Sequence, residues 1–434
     1  MTVVREASSV VDPLYPDRAL RPGADGSIAI TMGNSVTVDA FSRLRVSNPY
    51  NQFGAFNEYK INPFNYITAT AGTGTATLST TTKLVTLATG GTVANARAVI
   101  QSRAYMRYVP GRSQFVAQTS VFGTQPKAGC VKRVGYYEDR NGLFLQWDAT
   151  GASFVRRSDV TGSIVDTAFP QTSWNIDKMD GTGPSQITLD LTKGQIFWLD
   201  FQYLGMGRVR FGFDIGGILI TCHEVNHANL TDVQPYMATA NLPLRWEILN
   251  TGTAAQAETM TMFCGKCDSE GGFELSSVQY SASNGVTAKN TSTTLIPLIS
   301  LRPGPTFNGV TNRGWILPVD SEIFTTGTQT HYYQVIWNAT LTGPSWTSVN
   351  ANAMTQIDVT ASAVSLGTGI VLEEGWIAAG GFKSSGGGGG NSTFNDRPLV
   401  NSFDGTTPDT VTIAIQTLAG TGTALANINW HGYW

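Results

Sequence analysis

The sequence predicts an all-β protein: two β-sandwich, jelly-roll-like domains preceded by an extended N-terminal arm. Three observations predict it. Charged residues are 14% of the 434, against about 25% in an ordinary globular protein, which leaves long exposed helices and coiled coils without their polar faces. The 47 glycines, with many Asn and Ser, supply turns at short intervals. Between those turns recur short runs rich in Thr, Val and aromatic residues, the types that suit a pleated, half-buried surface. Apolar residues make up 41%, enough for real cores.

The elements follow in order. Residues 1–54 read as an arm, because Pro13, Pro16 and Pro22 forbid helix continuation and force extended geometry before them. Their one strand-like piece is Ser27–Met32. A segment with so little apolar content must borrow a core from its own chain or from a neighbouring subunit. Residues 55–275 carry a succession of strand signals and read as the first sandwich. It begins with the Thr-rich alternation of Thr75–Thr89 and runs on through GLFLQWDA, QIFWLDFQYL and LRWEIL. Asn141-Gly142 predicts one hairpin and Gly216-Gly217 another. The only helix-compatible stretch is Ser173–Asp180. Residues 276–434 repeat the style as a second sandwich, interrupted by a Gly-rich loop at 383–392. The closing NINWHGYW is aromatic enough to predict a final buried strand.

Composition also excludes. A net charge of −3 gives no basic field for phosphate backbones, so no nucleic acid is expected as a partner. The opening MTVVREASS has no apolar leader, and no run approaches the roughly 20 apolar residues that span a bilayer. A soluble chain made in a reducing cytosol, with no membrane partner, is expected. Four cysteines (Cys130, Cys222, Cys264, Cys267) are too scattered for a disulfide scaffold.

His223-Glu224-Val225-Asn226-His227 matches H-E-x-x-H, the pattern of a zinc hydrolase, and Glu247 stands where a third ligand would. That chemistry needs both histidines on one helical face. Here GILITC precedes them as a strand, and residues four apart on a strand lie about 13 Å apart. Cys264-x-x-Cys267 lacks the second pair that a structural zinc site would have. His223, His227, Cys264 and Cys267 are therefore remote metal candidates, and no cofactor is expected. The loop carboxylates Asp177, Asp180 and Asp190 could suit calcium, but Asx turns explain them more simply. Glu373 and Glu374 are adjacent on a strand and point to opposite faces, so they cannot form one acid–base pair. Trp376 beside them, and Trp315, are candidates for stacking on a glycan. No nucleophile elbow, P-loop or dinucleotide turn is present, and a non-enzymatic role is expected.

Three stretches carry a resemblance: Val36–Phe53 (VTVDAFSRLRVSNPYNQF), Asn141–Gly162 (NGLFLQWDATGASFVRRSDVTG) and Trp174–Phe211. Together they resemble a family of virion structural proteins of tailed bacteriophages, associated with capsid or tail. The resemblance covers about the first 275 residues. It implies a decoration, fibre or tail-associated component of the virion, made in the host cytoplasm. Its implied partners are capsid, portal, neck or tail proteins and further copies of itself, by analogy as a homotrimer. A host surface glycan is the alternative partner. Within Val36–Phe53, Phe41 and Leu44 alternate with Arg43 and Arg45, a pattern that suits a strand pairing with a neighbour's sheet while its arginines meet carboxylates there. These four are the candidate assembly contacts.

Overall fold

The structure, a computed structural model, describes residues 11–12, 15–19, 38–46, 48–230, 232–272, 277–385 and 398–433. The predicted strand Ser27–Met32 and residues 386–392 of the predicted loop lie outside the described residues, while residues 383–385 of that loop belong to the strand Phe382–Ser385. Among those described there is no α-helix, and a single 3-10 turn occupies Gln171–Ser173. The protein is all-β and built from stacked antiparallel sheets.

Two large sheets form the first pair. A seven-stranded sheet runs from edge to edge through Val165–Pro170, Gly151–Ser158, Gly142–Asp148, Cys130–Tyr137, Leu244–Asn250, Arg97–Ser102 and Tyr66–Ala71. Facing it, an eight-stranded sheet runs through Ile218–Val225, Val209–Ile215, Gly194–Phe201, Ser113–Val121, Thr259–Glu270, Val85–Ala88 and Thr75–Leu78, with Tyr50–Phe56 added on Thr259–Glu270. Alternate residues of both sheets meet in one core. Trp246, Phe154, Phe197, Phe211 and Leu199 are fully buried there, which is where the period-two apolar pattern of each strand sends them.

The second pair is smaller. The chain-terminal strand Gly422–Tyr433 lies inside its sheet between Val278–Ser283 and Trp315–Thr326, and Phe382–Ser385 forms one edge. Trp430 is fully buried, and its indole Nε1 donates to Thr355 Oγ1 at 3.1 Å, so the aromatic ending is indeed a core strand. The opposing six-stranded sheet runs Thr347–Ser348, Thr355–Asp358, Ile296–Pro303, Val411–Thr417, His331–Trp337, Ile370–Ile377. The two pairs touch through the Phe64–Trp337 ring contact at 4.7 Å and the Arg103–Asp409 ion pair at 2.6 Å.

Local expectations fare unequally. Gly216 and Gly217 join Val209–Ile215 to Ile218–Val225 as a two-residue turn with φ of 63° and 85°, the left-handed geometry a type I′ turn needs. The other hairpin exists, but its loop is the four residues 138–141 and Gly142 already begins the strand. There Glu138 Oε1 accepts from the amides of Arg140 and Asn141, both at 3.0 Å. A Cβ on Gly142 would stand 1.9 Å from that of Tyr137, so only glycine fits. Ser173–Asp180 is not helical. The amides of Ile176 and Asp177 donate to Cys222 O, and Asp177 Oδ1 accepts from the Met179 amide, so side chain and strand edge take the bonds a helix would have used.

Candidate functional site

The candidate assembly residues form a turn and not the alternating strand their pattern suggested. Asp39 Oδ1 accepts from the amides of Phe41 and Arg43, and Val38 bridges Leu44 across the loop. Arg43 pairs with Asp39 at 2.7 Å. Arg45 does not point outward; it pairs with Asp200 and Glu270, each at 2.6 Å. Arg210 donates to Asp200 and to Val38 O, and Arg208 Nε donates to Ala40 O at 3.1 Å. The arginines thus meet carboxylates of their own chain. Residues 50–54, counted with the arm, belong to the strand Tyr50–Phe56 of the eight-stranded sheet. Leu44 remains exposed, at 55%.

The metal candidates are not brought together. His223 sits on Ile218–Val225, and its Nδ1 accepts the Asn175 amide at 3.2 Å. His227 lies beyond that strand, with Nδ1 2.9 Å from Asp232 and its ring stacked on Tyr236 at 4.4 Å. Glu247 is on the opposite sheet, as the strand reading of LRWEIL requires. Cys264 Sγ contacts Thr119 Oγ1, and Cys267 Sγ accepts from Gln114 Nε2. All four cysteines are free thiols, and burial pushes the Cys130 thiol up to about 12. Among the described residues no three His, Cys, Asp or Glu side chains could hold one metal ion. Asp180 and Asp190 each accept from the amide and hydroxyl of the threonine two residues on, as Asx turns do.

The sequence reading missed a charged floor on the outer face of the seven-stranded sheet. Glu247, 1% exposed, pairs with Arg97 at 2.8 Å and accepts from Tyr137 Oη at 3.1 Å. Asp139 pairs with both Arg97 and Arg245, at 2.6 and 2.5 Å. Burial alone would raise both carboxyl pKa values; the surrounding arginines overcome it and hold both groups ionised. Phe403 of the second sheet pair lies over Arg97 and Arg245, 5.3 and 4.9 Å from the ring centre. A cleft of about 910 Å³ opens beside this floor. Each of its carboxylates is engaged: Asp159 by Arg140, Glu138 by two amides, Asp404 by Ser402 and Thr406. Arg–x–Glu at Arg245 and Glu247 put both charges on one strand face, the signal that could have revealed the floor.

The two tryptophans named as stacking candidates differ. Trp315 is half-buried at the start of its strand, whose backbone register pairs it with Tyr433. Trp376 is 70% exposed. It lies on Ile370–Ile377, the edge strand of the six-stranded sheet, opposite Tyr332, with ring centres 5.8 Å apart. Tyr332 Oη donates to Glu374 Oε2 at 2.5 Å, and Gln334 Nε2 donates to the same oxygen at 3.1 Å. Those bonds hold the Glu374 carboxyl below its ordinary pKa, as an acceptor. Glu373 points the other way, to Tyr333 Oη and Lys383. The result is an outer platform of an indole, a phenol, a carboxylate and an amide, on an edge strand whose other face carries Glu373 and the buried Ile377.

Fold and surface together define an all-β sandwich protein with a polar–aromatic platform on one outer face. No family model matches the chain, and no curated protein matches it. Among solved structures, the Emp47p carbohydrate recognition domain is 13% identical, with 51% of this chain and 95% of that one covered at a TM-score of 0.31. The legume lectin-like domain from Entamoeba histolytica is 11% identical, over 49% and 95%, at 0.26. The VIP36 exoplasmic/lumenal domain is 12% identical, over 53% and 93%, at 0.28. Likeness this slight carries no argument about function.

Proposed function

We propose that this chain is a non-catalytic carbohydrate-binding β-sandwich protein and that the Trp376–Tyr332 platform is its binding surface. The exposed, braced indole of Trp376 carries this reading. The apolar C–H face of a sugar ring can stack on it, while Glu374 and Gln334 accept from and donate to ring hydroxyls. Because Tyr332 and the strand register already hold the group, little ordering is needed on binding. No pair of free carboxylates stands there for acid–base work. On a glycan array the protein is expected to retain a defined set of glycans, and Trp376→Ala to lose at least tenfold in affinity. The side chain is exposed, so stability should change by no more than about 0.5 kcal/mol. Unaltered binding by Trp376→Ala sinks the proposal.

The setting we propose is the surface of a tailed-bacteriophage particle, with this chain as a structural component. The resembling stretches support it. Arg208 and Arg210 of Trp174–Phe211 grip Val38 and Ala40 of Val36–Phe53, so two of the three stretches form one structural unit. Antibody raised against the chain is expected to label purified particles at a defined location. Particles that carry none of the protein would end this part of the reading.

A further inference from the structure

A second cavity, of about 490 Å³, opens where the second sheet pair meets the first, within the ~300–1,000 Å³ range of small-ligand sites. One wall is Arg302, on Ile296–Pro303, whose guanidinium lies 4.2 Å from the centre of the Trp346 ring. Its Nε and Nη2 both donate to a neutral acceptor, Gln356 Oε1, at 2.9 and 2.8 Å. The nearby carboxylate, Asp358, is fully engaged elsewhere. Its Oδ1 accepts from Ser345 N, Thr360 N and Thr360 Oγ1, and its Oδ2 from Ala361 N. A guanidinium carries five N–H donors, so the Nη1–Nη2 end of this one is left over at the cavity wall.

The opposite wall is balanced in charge but not in hydrogen bonds. Asp409 accepts from Arg103 Nη2 at 2.6 Å, Asn338 Nδ2 at 2.9 Å and the Val400 amide at 3.2 Å. Beside it Arg103 Nε and Thr410 Oγ1 are buried and make no hydrogen bond in the protein. Those two atoms have no surface open to the cavity, which therefore offers one planar cation end, that of Arg302, among the hydroxyl-bearing residues Ser402, Thr406 and Thr407.

We infer that this cavity binds a carboxylate-bearing sugar, a uronic or sialic acid residue, with its carboxylate on the free end of Arg302. A planar carboxylate matches that end with two parallel bonds. Ser402, Thr406 and Thr407 line the same cavity and give ring hydroxyls polar partners. The site is separate from the Trp376 platform. Both lie on the outer face of the six-stranded sheet, but three strand spacings separate Ile296–Pro303 from Ile370–Ile377, roughly 14 Å, so either reading can fail without the other.

Titration calorimetry with D-glucuronate and with N-acetylneuraminate tests this, with glucose and inorganic sulfate as comparators. At least one acid sugar is expected to bind, ten times or more tighter than glucose and than sulfate. Arg302→Gln should weaken it at least tenfold. Arg302→Lys, which keeps the charge and loses the fork, should weaken it severalfold with an unchanged melting point. Neither acid binding, glucose binding equally, or full affinity in Arg302→Lys overturns the inference. Sulfate matching the acids would reduce the cavity to a simple anion site and overturn it equally.

Discussion

Asp200→Asn is expected to destabilise the fold by about 3–5 kcal/mol, the cost of removing one partner from a fully buried ion pair. Asp200 and Arg210 are both 0% exposed. Asp200 Oδ1 and Oδ2 take Arg210, and Oδ2 also takes Arg45 at 2.6 Å. Without the carboxylate, Arg210 stays buried beside an amide that cannot offset its charge. The effect should be local as well as global. Arg210 also holds Val38 O, and Arg45 belongs to the same turn, so residues 38–46 should lose protection in hydrogen exchange before the sheets do. Replacing both partners with apolar residues of similar size, Asp200→Leu with Arg210→Met, should recover much of the loss, since no lone charge is then left behind. Denaturant midpoints for the three variants check this. A wild-type midpoint in Asp200→Asn would mean the pair contributes nothing.

Acid should destabilise the protein well above the carboxylate range. Burial lowers the pKa of His223 from 6.5 to about 4, and lowers those of His227 and His331. The sign follows from which state takes the proton. Below pH 6.5 the unfolded chain protonates these rings while the folded chain does not, so stability falls as pH drops from 6.5 toward 4 and is fully present above that window. One pKa unit is worth about 1.4 kcal/mol, so His223 accounts for up to about 3 kcal/mol. His223→Asn retains an acceptor for the Asn175 amide and cannot titrate, and should flatten the fall. Glu270 and Asp409, whose pKa values burial raises against the pull of Arg45 and Arg103, act in the opposite sense. The comparison of variant with wild type is therefore the test, made by urea unfolding at stepped pH. Identical slopes would refute the assignment to His223.

Strand identity was legible because its cause is local. LRWEIL, GLFLQWDA and RVRFGFDI alternate with period two, and each is a strand with its apolar set in the core. The same reasoning set aside H-E-x-x-H, since GILITC continues as strand through Glu224. Trp376 was legible only as an aromatic beside two opposed carboxylates; its exposure was not. Trp315, equally aromatic and equally strand-borne, was not separable from it, because exposure depends on what packs above a strand and not on the strand itself.

Arg43 and Arg45 mark where local reading stopped. Their alternation with Phe41 and Leu44 is a genuine strand pattern, yet the Asp39 side chain closes a turn and Asp200, more than 150 positions away, draws Arg45 inward. The charged floor and both cavities are of the same kind: Arg97, Asp139 and Glu247, or Arg302, Asp358 and Arg103, lie far apart in sequence. Composition and period by themselves determined that the described residues are built of strands and which face of the core strands is apolar, because backbone geometry and burial act over a few residues; the turns closed by Asp39 and Glu138 were not legible in that way. Which strands pair, which charges meet and which arginine is left without an acid were decided only in three dimensions, because a charge is satisfied by whatever the fold places within about 4 Å of it, and chain separation sets no limit on that.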